Sequence, residues 1–417
     1  MRVLVTGGAG YIGSHVVRAL SRAGHTPFVY DDLSTGHRAL IERNGVRLLE
    51  GDVRVRDELD AAFEEVRPDA VVHVAGKALV GESVSDPSLY FSVNAEGGLR
   101  LLEAMRRHGV WRIVFSSTCA IYGVPAQLPI TESCAREPVN PYGASKLAFE
   151  HMLVAYARAF GLRALALRYF NVAGAAEEGD LGEVHEPETH LVPSLLRAAR
   201  TGEPFKLYGT TYPTRDGTAE RDLLHVEDLA QAHVQALSRL DIVDPLSFGG
   251  ALNLGTGRGS TVREMLAVTE EVLGCALQVE EVPRRPGDPP ALVADASLAR
   301  KVLGFHARRD LADMVRSAHR FEQAERARGA AEGGANGARG GLMHAARNGT
   351  TATKKARFGE AAIEAGYLRP ETLERALEIQ RERDGIGESH KLLGLVLLEM
   401  GAISSEQLIA TLKQINA

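Results

Sequence analysis

The chain has 417 residues, 45% hydrophobic and 24% charged, with a formal net charge of −6. This is ordinary globular composition, enough for roughly two or three domains. The weakly acidic balance argues against a nucleic-acid-binding surface. No apolar stretch reaches the ~18 residues of a membrane span. The three cysteines, Cys119, Cys134 and Cys275, have no paired or metal-ligand spacing. They read as free thiols in a reducing compartment, and no metal is expected. The N-terminus lacks a long apolar core and a cleavage site, so a cytoplasmic, unprocessed protein is expected.

Val3-Leu4-Val5 is a short aliphatic run suited to a buried parallel strand. Thr6 to His15 follows, with Gly7, Gly10 and Gly13 spaced G-x-x-G-x-x-G, and then a helix-like segment from Val16. The first glycine allows a tight turn, the second a close approach of backbone to a pyrophosphate, and the third close helix–strand packing. The free N–H groups of the helix start suit the anion. The next strand, Pro27–Tyr30, ends in Asp31-Asp32. An acid there accepts hydrogen bonds from ribose hydroxyls and repels a 2′-phosphate, which favours NAD over NADP.

The alternation continues. Arg47–Glu50 leads to Gly51-Asp52-Val53, where Asp52 is placed to meet an adenine; Ala70–Gly76 and Trp111–Thr118 are further strands. Strands alternating with helices predict a doubly wound parallel sheet with ligands outside its carboxyl ends. Tyr142 and Lys146 are four residues apart in Tyr142-Gly143-Ala144-Ser145-Lys146. On a helix they share one face. The Lys146 cation is expected to hold the Tyr142 phenol nearer its anion and make it a general base.

These segments together resemble the extended short-chain dehydrogenase/reductase family, and within it the UDP-glucose 4-epimerase family. Thr6–His15, Gly81-Glu82-Ser83-Val84, Phe115–Thr118, Tyr142-x-x-x-Lys146, Leu167–Asn171, Tyr208–Thr218, Arg221-Asp222 and Arg284–Asp288 carry the resemblance, which covers residues 1 to about 323. It implies a Rossmann-like α/β fold with a smaller α/β substrate lobe. It implies NAD contacts from Gly7, Gly10, Tyr11, Ile12, Gly13, Asp31, Asp32, Asp52, Val53, Val74, Ala75, Lys77, Asn94, Lys146 and Tyr169. Thr118, Tyr142 and Lys146 are implied as catalytic. UDP-sugar contacts are implied for Ser117, Thr118, Tyr142, Asn171, His190, Leu191, Tyr208, Arg221, Arg285, Asp288 and Leu292. His190 either meets the substrate or caps the helix that follows.

The implied reaction is interconversion of UDP-glucose and UDP-galactose by C4 hydride abstraction, turning of the 4-keto intermediate and hydride return. Related dehydratases and decarboxylases carry acids just after the residue matching Thr118, where this chain has Cys119-Ala120-Ile121-Tyr122-Gly123. Leu292 leaves N-acetylated sugars open. A 4-epimerase of UDP-uronic acids or UDP-pentoses stays open too, as does a sugar-nucleotide sensor or scaffold signalling through the C-terminal repeats. A homodimer is expected.

The nucleotide-binding domain is read as 1–171, with some later segments returning to it, and the substrate lobe as mainly 172–323. Val192–Arg200 reads as an amphipathic helix. Asp222–Leu229 reads as the start of a helix, with His225 structural. Gly329 to Gly341 holds six glycines in thirteen residues. Residues 324–355 are therefore expected to form a flexible linker. Beyond it, 356–417 shows a repeat of period 35, read as two helical hairpins. Ile363–Leu368 aligns with Leu398–Ile403, and Leu373 and Leu377 with Leu408 and Leu412. This all-α module resembles the paired-repeat domain at the N-terminus of type II secretion and type IV pilus ATPases. The resemblance implies a protein partner or a cyclic di-GMP ligand. Arg357-x-Gly359 and Gln380 match that family's pattern, whereas Leu392 and Ile415 depart from it.

Overall fold

A computed structural model describes residues 1–185, 188–242, 244–285, 288–336, 362–363, 365–385, 393–404, 407 and 411. Two compact units divide the chain, Met1–Gly329 and Ala330–Ala417.

In the first unit the strands are β1 (Arg2–Thr6), β2 (Thr26–Asp31), β3 (Leu48–Glu50), β4 (Ala70–His73), β5 (Arg112–Thr118), β6 (Arg163–Tyr169), β7 (Asn171–Ala173), β8 (Phe205–Tyr208), β9 (Glu220–His225), β10 (Ala251–Leu254), β11 (Gly259–Thr261), β12 (Val279–Val282) and β13 (Ala291–Leu292). Seven of them form one sheet in the order β10-β6-β5-β4-β1-β2-β3. Every neighbouring pair in it is parallel. The interior strand β1 is buried from Val3 onward, as a strand covered on both faces requires.

Alternation along the strands feeds two cores. Val3, Val5, Val72 and Val114 point to one face and pack with the helices Tyr11–Arg22 and Val226–Arg239. Leu4, Val71, Ile113 and Phe115 point to the other, under the helices Arg56–Val66, Gly97–Arg107 and Pro141–Phe160. The sheet is thus doubly wound, with strand order reversing between β1 and β4, where such folds place their ligands. The last strand, β10, comes from beyond residue 172, so later chain does return to the nucleotide sheet.

The remaining strands form two small sheets. β9 pairs with β11, β13 and β7, and β12 pairs with β8. Asp222–His225, expected to open a helix, is instead the end of β9. Its main chain finds partners in β7 and β11. The helix starts at Val226, where His225, almost fully buried, accepts a hydrogen bond from the Glu227 N–H at 3.1 Å. Leu191–Thr201 is the expected amphipathic helix.

The expected linker differs from the structure as well. A helix runs from Leu311 to Asn336, through residues 324–336. Glu325-Arg326-Ala327-Arg328 are strong helix formers. Within the first unit, Arg43 and Glu325 form an ion pair of 2.7 Å. The remainder of that linker, 337–355, lies outside the described residues.

In the second unit, helices span Pro370–Gly385 and Leu393–Glu399. Ala362, Leu368, Ala376, Leu393, Val396, Leu397 and Ile403 form an apolar cluster. Gly366 and Gly401, one repeat period apart, both have left-handed backbone, at φ 71° and 67°. Each closes a turn, through Tyr367 N–H to Ala362 O and Ala402 N–H to Leu397 O. Arg357, Gly359, Leu392, Leu408, Leu412 and Ile415 lie outside the described residues, as does the side chain of Gln380.

A buried ionic group sits behind β5. Glu150 and Arg168 pair at 2.7 Å with side chains only 5% and 3% exposed. Ser117 donates to the same carboxylate at 2.5 Å, and Arg168 donates to the Tyr122 hydroxyl at 2.8 Å. Glu150→Ala would leave a buried guanidinium without its counter-charge. It should cost about 3 to 5 kcal/mol in urea unfolding; a loss below about 1 kcal/mol, the range of an exposed pair, would contradict this account.

His15, His73, His225 and His233 are nearly inaccessible. Burial pushes them down to about 4, 3, 4 and 4 respectively. Above pH ~6.5 neither state protonates them. Between ~6.5 and ~4 the unfolded chain takes up protons that the folded chain does not, so stability falls as the pH falls, by up to about 5 kcal/mol per pH unit for four such groups. The urea midpoint at pH 5 should lie well below that at pH 7.5; equal midpoints would contradict the prediction.

Candidate active site

One cleft of about 1690 Å³ opens at the carboxyl ends of the sheet and continues into the substrate lobe. That is larger than a pocket for a single drug-sized ligand, roughly 300–1,000 Å³.

At one end lies the glycine turn. Gly7 has φ +71°, and a Cβ there would stand 2.4 Å from Ala75 N. At Gly13 a Cβ would stand 2.0 Å from Gly7 O. These two glycines are therefore demanded by the turn and by helix packing. At Gly10 the nearest atom is 3.5 Å away, so this residue leaves the cleft floor open. No side chain caps the helix that starts at Tyr11, so its first N–H groups remain for an anion.

Asp31 accepts from Ala9 N–H and Leu33 N–H, each at 2.9 Å, which fixes its carboxylate at the end of β2. Burial raises its pKa. Arg38, the cation nearest in sequence to this acid, is paired with Glu50. Asp52 is held by Arg54 at 2.5 Å, and Val53 packs beside it. The open glycine floor, the buried acid at the end of β2 and the bare helix start fit an NAD cofactor.

The middle of the cleft holds Thr118 at the end of β5 and Tyr142 in the first turn of Pro141–Phe160. Asn140 caps that helix by accepting from Gly143 N–H at 2.9 Å, which fixes the height of Tyr142. Tyr142 and Thr118 line the cleft together here. Tyr90 meets the Tyr142 ring edge-on at 6.3 Å. Lys146 lies one turn along, with its Nζ donating to Ser116 O at 3.0 Å and standing 4.9 Å from the centre of the Phe115 ring.

The expected lowering of the Tyr142 phenol is not what this environment produces. Burial pushes it up to about 12, with the nearby Thr118 side chain pulling the other way. Burial likewise pushes Lys146 down to about 8. The ammonium is committed to a strand carbonyl rather than to the phenol.

At the far end, Arg221 and Asp288 pair at 2.5 Å. The Arg285 guanidinium stacks over Tyr208, 4.1 Å from its ring centre. Pro286 and Gly287, part of the motif that carries Arg285, lie outside the described residues. Asn171, His190, Leu191 and Leu292 complete this wall. His190 precedes the helix Leu191–Thr201 without a side-chain capping bond, and pairs with Glu183 instead.

Of the residues expected at the site, Ser117 and Asn94 do not line the cleft. Ser117 follows the strand alternation away from Thr118 and spends its hydroxyl on Glu150. Asn94 receives Lys77 N–H at 2.9 Å and donates to Lys77 O at 3.0 Å and the Ser145 hydroxyl at 2.9 Å. It positions the Lys77 loop against the catalytic helix. Sequence reasoning missed Ser194, Arg197 and Ala198, which line the cleft beside Leu191. Helical spacing from Leu191 was the signal that could have found them.

The model of the NAD dependent epimerase/dehydratase family matches residues 3–255. The UDP-glucose 4-epimerase of Rhizobium meliloti (strain 1021) is 48% identical over 320 residues, covering 76% of this chain and 95% of that protein. The UDP-glucose 4-epimerase of Brucella ovis, solved in complex with NAD, is 47% identical with a TM-score of 0.71, covering 76% of this chain and 97% of that one. The enzyme of Stenotrophomonas maltophila, solved with NAD and formylated UDP-arabinopyranose, is 38% identical with a TM-score of 0.74, covering 79% and 99%. The glycine turn, the Thr118–Tyr142 pair and these matches lead to one conclusion: the chain belongs to the NAD dependent epimerase/dehydratase family.

Proposed function

We propose that this chain interconverts UDP-glucose and UDP-galactose at carbon 4 of the sugar. The observation that carries the reading is the meeting of Thr118 and Tyr142 midway along one cleft, with a glycine cradle at one end and two arginines at the other. Curated and solved relatives with UDP-glucose 4-epimerase activity in their names support it.

Gly7, Gly10, Gly13, Asp31, Asp52, Lys77 and Lys146 would hold NAD. Bound NAD supplies a reversible hydride acceptor for the sugar carbon. Tyr142 takes the proton of the 4-hydroxyl and later returns it, and the Thr118 hydroxyl shares that proton. A phenol pushed up to about 12 in this setting needs added positive charge beside it to act near neutral pH. Lys146 is the cation the chain itself places one turn away. Arg221 and Arg285 suit a diphosphate, since the guanidinium fork matches phosphate oxygens. Asp288 orients Arg221 through their ion pair. Firm grip on the diphosphate leaves the sugar free to turn and present its other face.

Cys119 and Ala120 follow Thr118 where elimination would need a carboxyl group, so the site is built for hydride chemistry alone. We also read residues 356–417 as a paired helical-hairpin module that docks a protein partner. Its two equivalent left-handed glycines and its apolar cluster support that reading.

Tyr142→Phe keeps the ring packing and removes the proton carrier. Turnover of UDP-galactose should fall by about 10² to 10⁴, while NAD released on denaturation stays at the wild-type amount. Wild-type turnover in this variant would refute the role of Tyr142.

A further inference from the structure

The sequence Glu183-Val184-His185 and Glu188-Thr189-His190 spells two Glu-x-His pairs in one loop. The proposed chemistry uses His190 only as a wall residue and the other three not at all. The fold brings all four together. One donor atom of each lies within 4.8 Å of the donor atoms of the other three. His185 Nδ1 is 3.0 Å from Glu183 Oε1, and His190 Nδ1 is 2.5 Å from the same oxygen. His190 Nδ1 is also 3.8 Å from Glu188 Oε1. Four ligands held tetrahedrally at zinc–nitrogen and zinc–oxygen lengths stand about 3.3 Å apart. The observed separations bracket that value.

The loop is anchored on both sides. Glu188 accepts from His190 N–H at 2.7 Å, directly before the helix Leu191–Thr201. His37 reaches Val184 O at 3.2 Å. The Glu183 side chain is only 6% exposed, and its ion-pair partners are imidazoles. A buried carboxylate needs a counter-charge or a metal. Two carboxylates with two neutral imidazoles sum to −2, the complement of one divalent cation. Both histidines keep contact with the cleft, which leaves an entry path.

We propose that Glu183, His185, Glu188 and His190 bind one divalent cation of the zinc class in the wall of the cleft. Mixed imidazole and carboxylate donors select zinc, cobalt or nickel over magnesium and calcium, which take oxygen sets. The site does not depend on which nucleotide sugar the cleft accepts.

The test is calorimetric titration of the full chain, stripped with a chelator, with Zn²⁺. One equivalent should bind. His185→Ala and Glu188→Gln should each weaken it by about tenfold or more. Binding should release protons and weaken from about pH 7.5 to 5.5, since the imidazoles must be neutral. X-ray absorption of the zinc-loaded wild-type chain should show imidazole and carboxylate ligands and no sulfur, which guards against a variant that fails to fold. No stoichiometric zinc, unchanged affinity in both variants, or sulfur ligation would each overturn the proposal. In the first case the four side chains would be a proton-sharing ion-pair network only.

Discussion

The site depends on one face of one helix lying along one strand. Tyr142, Lys146 and Glu150 follow each other at four-residue spacing on Pro141–Phe160, and each meets the end of β5. Tyr142 shares the cleft with Thr118, Lys146 donates to Ser116 O, and Glu150 receives Ser117. Two successive strand residues, Ser116 and Ser117, are thereby clamped by successive turns of the helix, and Thr118 is the next residue along the strand. The buried Arg168, paired with Glu150, carries the clamp into β6. A shift of the strand by one residue would turn Thr118 out of the cleft and Ser117 into it. Which strand residue lies beside Tyr142 is thus a consequence of register.

Around this clamp the two ligand ends are built differently. The dinucleotide end uses backbone, with glycines that close the turn and a helix start left bare. The far end uses side chains, with guanidiniums steadied by Asp288 and Tyr208. A turn is rigid and can hold a cofactor through many cycles. Stacked and paired arginines hold a charged group while leaving what is attached to it free to reorient.

Local signals were legible in the sequence. The spacing of Gly7, Gly10 and Gly13 and of Tyr142 and Lys146 predicted the turn and the shared helical face, because both are matters of short-range geometry. The period of 35 likewise anticipated the two left-handed glycines, Gly366 and Gly401. Non-local partners were not legible. Asp222–His225 carries helix-favouring acids just beyond it, yet β7 and β11 draw it into a strand. Residues 324–336 are rich in glycine towards their end, yet helix propensity and the Arg43–Glu325 pair keep them helical. Asn94 and Ser117 carry the right chemistry but face neighbours rather than the cleft. The upward shift of Tyr142 depends on burial, and spacing alone cannot report burial.

The central claim is that one polypeptide holds its own cofactor and inverts carbon 4 of a UDP-hexose. The most direct measurement is incubation of the purified chain with UDP-galactose, without added NAD, followed by chromatographic separation of the sugar nucleotides. Appearance of UDP-glucose, approaching one equilibrium ratio from either substrate, is the predicted result. No conversion in either direction, even with NAD supplied, would contradict the account.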